Sequence, residues 1–300
     1  MRILVLGAAA GGGFPQWNCN CAACRRSRSG DPAAPARTQT GLAVSRDGIH
    51  WHLVNASPDL REQIARTPQL HSQDGLRGSP IRSAILTGGD IDVIAGLLSL
   101  RERQPLTIHA TASVHAILDA NPVFDVLARD LVARPEARLG EPFLLEEGLS
   151  ATLFAVPGKV PLYMESGEGM QPIVVDGTTA GLCLEDGENR AFIIPGCAAM
   201  TPDLAQRLRG ADMVLFDGTL WHDDEMIEAG LGTKTGRRMG HMSLAGPEGA
   251  LAAFDGLDVK NKILIHMNNS NPVLLADSKE RATAEAAGWI VPEDGLEVVP

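Results

Sequence analysis

Three cysteines within six residues, Cys19, Cys21 and Cys24 of QWNCNCAACRR, carry the most specific chemistry in this 300-residue chain. A CxCxxC clip sets three soft thiolates on one tight loop, the ligand type and spacing that hold zinc, with a fourth ligand supplied from elsewhere. The alternative is three unpaired thiols packing as small apolar side chains; metal is the reading adopted. A second locus is Thr87-Gly-Gly-Asp90-Ile-Asp92, which closes an apolar run and opens a helix. Carboxylates at i and i+2 can share a hard or borderline cation, although acid-rich turns also cap helices. Three further apolar runs end in polar residues: Pro195-Gly196-Cys197 after AFII, Asp217-Gly218-Thr219 after MVLF, and His266 after KILI. Four such run-ends point to one open site built at strand termini.

The elements that must position these residues are legible as short runs rich in Val, Ile and Leu, bounded by Gly, Pro and Asp. Strands are expected at Ile3–Leu6, Gly41–Val44, Trp51–Asn55, Ile81–Thr87, Leu106–His109, Ala151–Val156, Ala180–Leu184, Ala191–Ile194, Met213–Asp217 and Ile263–His266. Helices are expected after the cap-plus-proline pairs Ser57-Pro58 and Thr201-Pro202, and over Ile94–Glu102, Ser113–Asp119, Pro247–Phe254 and Lys279–Ala287. This interleaving implies an α/β protein of layered sheets with helices outside. No linker or internal repeat is detectable, so residues 1–300 are read as a single domain. The turn Gly7-Ala-Ala-Ala-Gly-Gly-Gly13 lacks the GxGxxG spacing and the Lys-Ser/Thr of a phosphate loop. Its glycines are expected to let the backbone pass close to a neighbour.

Composition narrows the partners. A net charge of −11 argues against nucleic acid, and the one basic cluster, Arg25, Arg26 and Arg28, reads as a solvated face. No apolar run reaches the roughly 18 residues that span a bilayer, so no membrane insertion is expected. The opening MRILVLGAAAGG is read as a first strand entering a turn rather than a cleaved signal. Five cysteines, with Cys183 and Cys197 far from the clip, fit a reducing compartment, and the expected location is cytoplasmic.

Several segments, taken together and in order, resemble one family. RILVLGAAAGGGFPQWNCNCAAC, RTQTGLAV, LVNASPDLREQI, VPGKVPL, IIPGCA, VLFDGTL, GTKTGRRMGHMS and HMNNSNPVL span residues 2 to about 275. They are similar to the pyrroloquinoline quinone (PQQ) biosynthesis protein B family of the metallo-β-lactamase superfamily. The resemblance implies a four-layer αββα sandwich, two mixed β-sheets flanked by helices, with a metal cleft along the strand ends. It also implies departures at that cleft. On the superfamily pattern Thr-His-x-His-x-Asp-His, the histidines fall on Gly88, Asp90 and Val93 and the aspartate on Asp92; a later histidine falls near Ala155 and a bridging aspartate on Cys197. Only Asp92 and His266 survive in kind, and members of this family tend to carry a histidine where Val93 stands.

What remains, Asp90, Asp92 and His266, is the ligand type of a mononuclear iron centre with open positions, although Fe(II) or another divalent metal suits such donors. The resemblance then implies iron- and dioxygen-dependent hydroxylation of a tyrosine ring in a small glutamate–tyrosine unit derived from the PQQ precursor peptide. A non-catalytic carrier of PQQ or its precursor toward the periplasm is a second class, and a metal-dependent hydrolase a third. By the same comparison Asp217 orients His241, which moves a proton or binds the phenol; the bland reading is that each merely bonds its own turn. Cys197 is left open between ligand, oxidisable thiol and packing. His50, His52, His71, His109, His115 and His222 lie in no matched motif and are read as ordinary. In a related phosphodiesterase group the fourth zinc ligand of the clip is a histidine at the position of Asn269, so Asn269 is the expected stand-in, tying the clip to the His266 loop. Native metal, substrate and oligomeric state, a homodimer included, stay open.

Overall fold

In strand β1 (Arg2–Gly7), Ile3 and Val5 face one side and Leu4 and Leu6 the other, and all four are buried. Side chains alternate along a strand, so a strand buried on both faces is written as a continuous apolar run. The first pair belongs to the core between the sheets and the second to a separate core under helices. The computed structural model describes residues 1–73, 75–165 and 172–300.

One sheet runs β14 (Glu297–Val298), β1, β2 (Gly41–Ser45), β3 (Trp51–Val54), β4 (Ile81–Ile85), β5 (Leu106–His109) and β6 (Val132–Ala133). The other runs β7 (Phe143–Leu144), β8 (Ser150–Ala155), β9 (Ala180–Glu185), β10 (Arg190–Ile194), β11 (Met213–Asp217), β12 (Asn261–Ile265) and β13 (Trp289–Ile290). Each sheet makes three antiparallel pairings followed by three parallel ones. The two halves thus share one pattern that no sequence repeat announces. Helices α2 (Leu60–Arg66) and α4 (Ala112–Ala120) pack Leu60, Val114 and Leu118 on the outer face of the first sheet. Leu204 and Leu208 of α5 (Pro202–Leu208), Ala250 of α8 (Ala250–Ala253) and Ala284 of α9 (Lys279–Ala286) join the core of the second. The result is the four-layer αββα sandwich. Among the described residues, no helix is long and apolar enough to cross a membrane.

All ten expected strands are present within one or two residues. The four not expected, β6, β7, β13 and β14, are two residues long and too short to show a pattern. Thr201 caps α5 as expected, accepting from the Leu204 N–H, with Pro202 in the first turn. The Ser57-Pro58 cap is corrected: α2 begins after Asp59, and the Ser57 hydroxyl instead donates to Gln63 Oε1 at 3.2 Å. The helix expected over Ile94–Glu102 is α3 (Ile91–Ile94) followed by a tighter 3-10 stretch, Ala95–Leu100. Gly96 explains the break, since a Cβ there would stand 2.1 Å from the Ser57 carbonyl oxygen. The Pro247–Phe254 helix shrinks to α8, because a Cβ at Gly249 would meet the Ala245 carbonyl at 2.3 Å. Helices α1 (Ala22–Arg28), α6 (Glu225–Glu228) and α7 (Gly236–Met239) were not expected.

The glycine-rich turn after β1 does let backbone pass close, as its composition suggested: a Cβ on Gly7 would lie 2.3 Å from the Gln39 carbonyl. Beyond it the chain crosses to the other sheet. Ala10 N–H donates to Met267 O at 2.8 Å and Met267 N–H to Ala8 O at 3.0 Å, so β1 is stitched to the residue that follows His266.

Candidate metal centre

The ends of β4, β10, β11 and β12 converge on a cavity of about 370 Å³ lined by Asp90, Asp92, Thr219, His241 and His266. His266 stands at φ 59°, a left-handed conformation that costs a non-glycine residue about 1–3 kcal/mol. Its neighbours fix it there. Gly218 N–H donates to Ile265 O, Met267 N–H to Ala8 O, and Asn268 N–H to Thr219 O.

Asp217 is fully buried and both its oxygens are taken. Oδ1 accepts from the Thr219 N–H and hydroxyl at 3.0 and 2.6 Å; Oδ2 accepts from the Cys197 N–H at 2.9 Å and His241 Nδ1 at 2.7 Å. Burial works to raise this carboxyl, but His241, His266 and the Thr219 hydroxyl outweigh it and hold it below the usual carboxylate range. Asp217 therefore fixes His241 in the Nδ1–H tautomer. With the Thr219 proton committed to Asp217, His266 Nδ1 donates to Thr219 Oγ at 2.8 Å. His241 then carries Nε2 as its free ring nitrogen, while His266, stacked on it at 5.1 Å and 20°, turns its own Nε2 to Asp92.

His266 Nε2 meets Asp92 Oδ2 at 2.9 Å. Two donors bonded at about 2.0–2.2 Å to one cation stand about 3 Å apart, so this pair fits a divalent ion. Burial disfavours the Asp92 charge, yet the bond from His266 and its charge outweigh it, and the carboxyl is held below its usual value; His266 is raised against its own burial by the same pair. Asp90 lies on the cavity wall with its carboxyl raised, first by burial and then by the charge of Asp92. The expected trio is not assembled as a compact cluster: among the described residues, Asp90, Asp92 and His266 do not form a group with three ligand atoms within 4.8 Å of one another, and only Asp92 meets His266 directly. Asp217, His241 and His266 do place three donor atoms within 4.8 Å of one another, but the saturated oxygens of Asp217 assign it to orientation rather than ligation.

Cys197 is fully buried and outside the cavity lining, its thiol donating to Ala199 O at 3.2 Å and pushed up to about 12 by burial. Of the three readings left open for it, packing is the one the geometry supports; its backbone N–H, not its sulfur, serves the site. Val93 lines the cavity. His52 bonds Ser83, His109 stacks on Phe143 and His115 bonds Pro135 O, while His50 pairs with Asp47 on an exposed turn.

Some site residues were not found from sequence. Thr219 looked like part of a turn, and its hydroxyl bridging two imidazoles has no sequence signal. Asn55, at φ 64°, clamps Thr87 by accepting its N–H at 2.9 Å and donating to its hydroxyl at 2.9 Å. An asparagine ending a strand is the signal for that conformation. The strap Lys159–Glu165 forms one wall: the Tyr163 hydroxyl donates to the Gly89 carbonyl, and Arg238, bonded to Glu165, holds that carboxyl down at about 2.

The clip assembles as its spacing suggested. Cys19, Cys21 and Cys24 bring their sulfurs within 4.8 Å of one another, and the N–H groups of Cys21 and Cys24 point at the sulfurs of Cys19 and Cys21, at 3.5 and 3.4 Å. Burial raises Cys24 to about 11, while for Cys19 the Cys21 N–H and neighbouring thiols overcome burial and lower it. A soft, crowded cluster of three sulfurs fits zinc. Buried Asn269, expected as the fourth ligand, instead donates from Nδ2 to Cys24 Sγ at 3.5 Å, and this hydrogen bond joins the clip to the His266 loop. The basic cluster is more than a solvated face. Arg25 donates to Asn20 O and Arg28 to Cys19 O and Gln16 O, while Arg26 pairs with Asp31 and Asp277.

Cys21→Ser should remove one zinc per chain, read by metal analysis, and cost on the order of 3 kcal/mol, seen as a Tm lower by roughly 5–10 °C. Thr219→Val should leave that zinc in place but weaken divalent metal binding at the cavity about 10–100-fold in a competition titration, because His266 loses the partner of its Nδ1.

The Beta-lactamase superfamily domain profile matches residues 50–267, more than half of the chain. The chain is 59% identical over 302 residues to coenzyme PQQ synthesis protein B of Gluconacetobacter diazotrophicus, covering 99% of this chain and 98% of that protein. It is 54% identical to the protein of the same name from Ruegeria pomeroyi, over all of both. Among solved structures, Zn(2+)-bound PqqB from Methylobacterium extorquens superposes with a TM-score of 0.98 at 50% identity over the whole of both chains. A diphosphatase of the PhnP family shares the fold, at TM-score 0.69 and 20% identity, over 100% of this chain and 97% of that one. On fold, coverage and identity together, the chain belongs to the coenzyme PQQ synthesis protein B family of the β-lactamase superfamily.

Proposed function

We propose that this chain acts in coenzyme PQQ synthesis as an iron- and dioxygen-dependent hydroxylase of the tyrosine ring in a small glutamate–tyrosine unit derived from the precursor peptide. The observation that carries the reading is the donor set: one imidazole, His266, against Asp92 at 2.9 Å, with Asp90 on the same cavity wall. One imidazole with carboxylates departs from the histidine-rich sets of hydrolytic zinc and shares the mixed nitrogen and oxygen donors of the two-histidine, one-carboxylate ferrous triad, with the proportion reversed. Asp90, Asp92 and His266 would hold the ion, which when bound supplies the activation of dioxygen.

The remaining steps belong to the chain's own side chains. His241, fixed by Asp217, presents the basic nitrogen that accepts the phenol proton and returns it as the ring rearomatises. Thr219 keeps His266 oriented while the two rings stay stacked. Leu162 and Met239 line the cavity and offer apolar surface to the ring. One atom of dioxygen enters the ring and the other leaves as water, with two electrons drawn from an external reductant.

The test is anaerobic reconstitution with ferrous iron, then addition of reductant, dioxygen and glutamyl-tyrosine, with mass spectrometry of the peptide. One added oxygen atom is expected, with both iron retention and product lost in His266→Ala and Asp92→Ala. Peptide bound and released unchanged by iron-loaded protein would favour the carrier, and cleaved peptide the hydrolase; either overturns the hydroxylase.

A further inference from the structure

At the rim of the cavity, three cations surround one acid. Lys159 Nζ lies 2.9 Å from Glu165 Oε1, Arg238 grips both carboxylate oxygens at 3.1 and 2.7 Å, and Lys234 Nζ stands 3.8 Å away. Among the described residues, the Glu165 carboxylate faces all three of these positive charges, in a chain whose net charge is −11. Asp90 and Asp92 line the same cavity, and burial and the neighbouring Asp92 raise the Asp90 carboxyl against the pull of the Lys159 charge. Lys159 and Lys234 line the same cavity as His241 and His266.

Lys159 is built in, and Lys234 stands more exposed beside it. The Lys159 side chain is only 11% exposed, and its stem lies over Gly240, where a Cβ would stand 3.1 Å from Lys159 Cγ. Its ammonium donates to Glu165 and to the Val160 carbonyl at 3.2 Å, which uses two of its three protons. Lys234 is 37% exposed, and its 3.8 Å contact is too long for a hydrogen bond. Half-buried ammonium groups with donors to spare, beside a reactive cavity, are what anion recognition requires.

We infer that Lys159 and Lys234 form a carboxylate-binding subsite that holds the acidic end of an anionic substrate while its ring reaches His241 and His266. Glu165 and Arg238 act as positioning residues: the bidentate pair sets the strap, and the strap sets Lys159. The inference rests on reading this cavity as the active site, and it adds that the substrate is selected by its negative charge.

The test is calorimetric binding of glutamyl-tyrosine and of its uncharged-side counterpart, glutaminyl-tyrosine amide, to the zinc-loaded full chain. The acidic peptide should bind at least about tenfold more tightly, a factor typical of one charge-assisted contact. That preference should fall to about twofold or less in Lys159→Ala and Lys234→Ala and return in Lys234→Arg. Equal binding of the two peptides, no binding of either, or a preference untouched by both alanine variants would overturn the subsite. Hydroxylated product without the charge preference leaves the proposed reaction standing and removes the subsite; the preference without product does the reverse.

Discussion

Fully buried Asp217 at the end of β11 and part-buried Asp92 in α3, just after β4, face two stacked imidazoles, and the cavity is arranged so that neither acid is left unpaired. A buried carboxylate is tolerated only when paired or hydrogen-bonded. Asp217 takes four donors, from Cys197, Thr219 and His241. Asp92 is paired with His266. Those contacts set the tautomer of His241 and leave Asp217 no free oxygen.

That pairing is possible only because His266 is carried across the seam between the sheets. Its left-handed backbone is held by the exchange between Ala8, Ala10 and Met267, which ties the end of β1 to the end of β12. The clip reinforces the same seam from the other side, through Asn269 on Cys24 and Arg26 on Asp277. The remaining asparagines of this loop divide the work: Asn271 donates to Gly218 O, and Asn268 to Ser270, whose hydroxyl reaches buried Glu225. The cysteines therefore matter to the chemistry by holding a loop in place.

Much of the scaffold was legible because buried parallel strands are written as apolar runs, and the residues closing β4, β11 and β12 could be named as site residues from their position alone. Spacing named the clip. Other features were not legible for physical reasons. Strands of two residues have no period, and the break at Gly96 goes with the hydrogen bond its N–H makes to Ala56 O, in a different loop. The Thr219 hydroxyl earns its role only once Asp217, His241 and His266 surround it. Lys159, Glu165, Lys234 and Arg238 are separated by up to 79 positions, and nothing in the sequence brings their charges together. Arg25, Arg26 and Arg28 looked solvated because the carbonyls and acids they bind are invisible to a charge count.

The central claim is that His266 and its neighbouring aspartates hold the metal while His241 stands by as an oriented base. Iron-edge X-ray absorption on the ferrous-loaded chain, with zinc filling the clip, addresses it directly. The account predicts a shell of oxygen and nitrogen donors with scattering from a single imidazole, lost in His266→Ala and kept in His241→Ala. Sulfur in the iron shell, or an imidazole signal that survives His266→Ala, would contradict it.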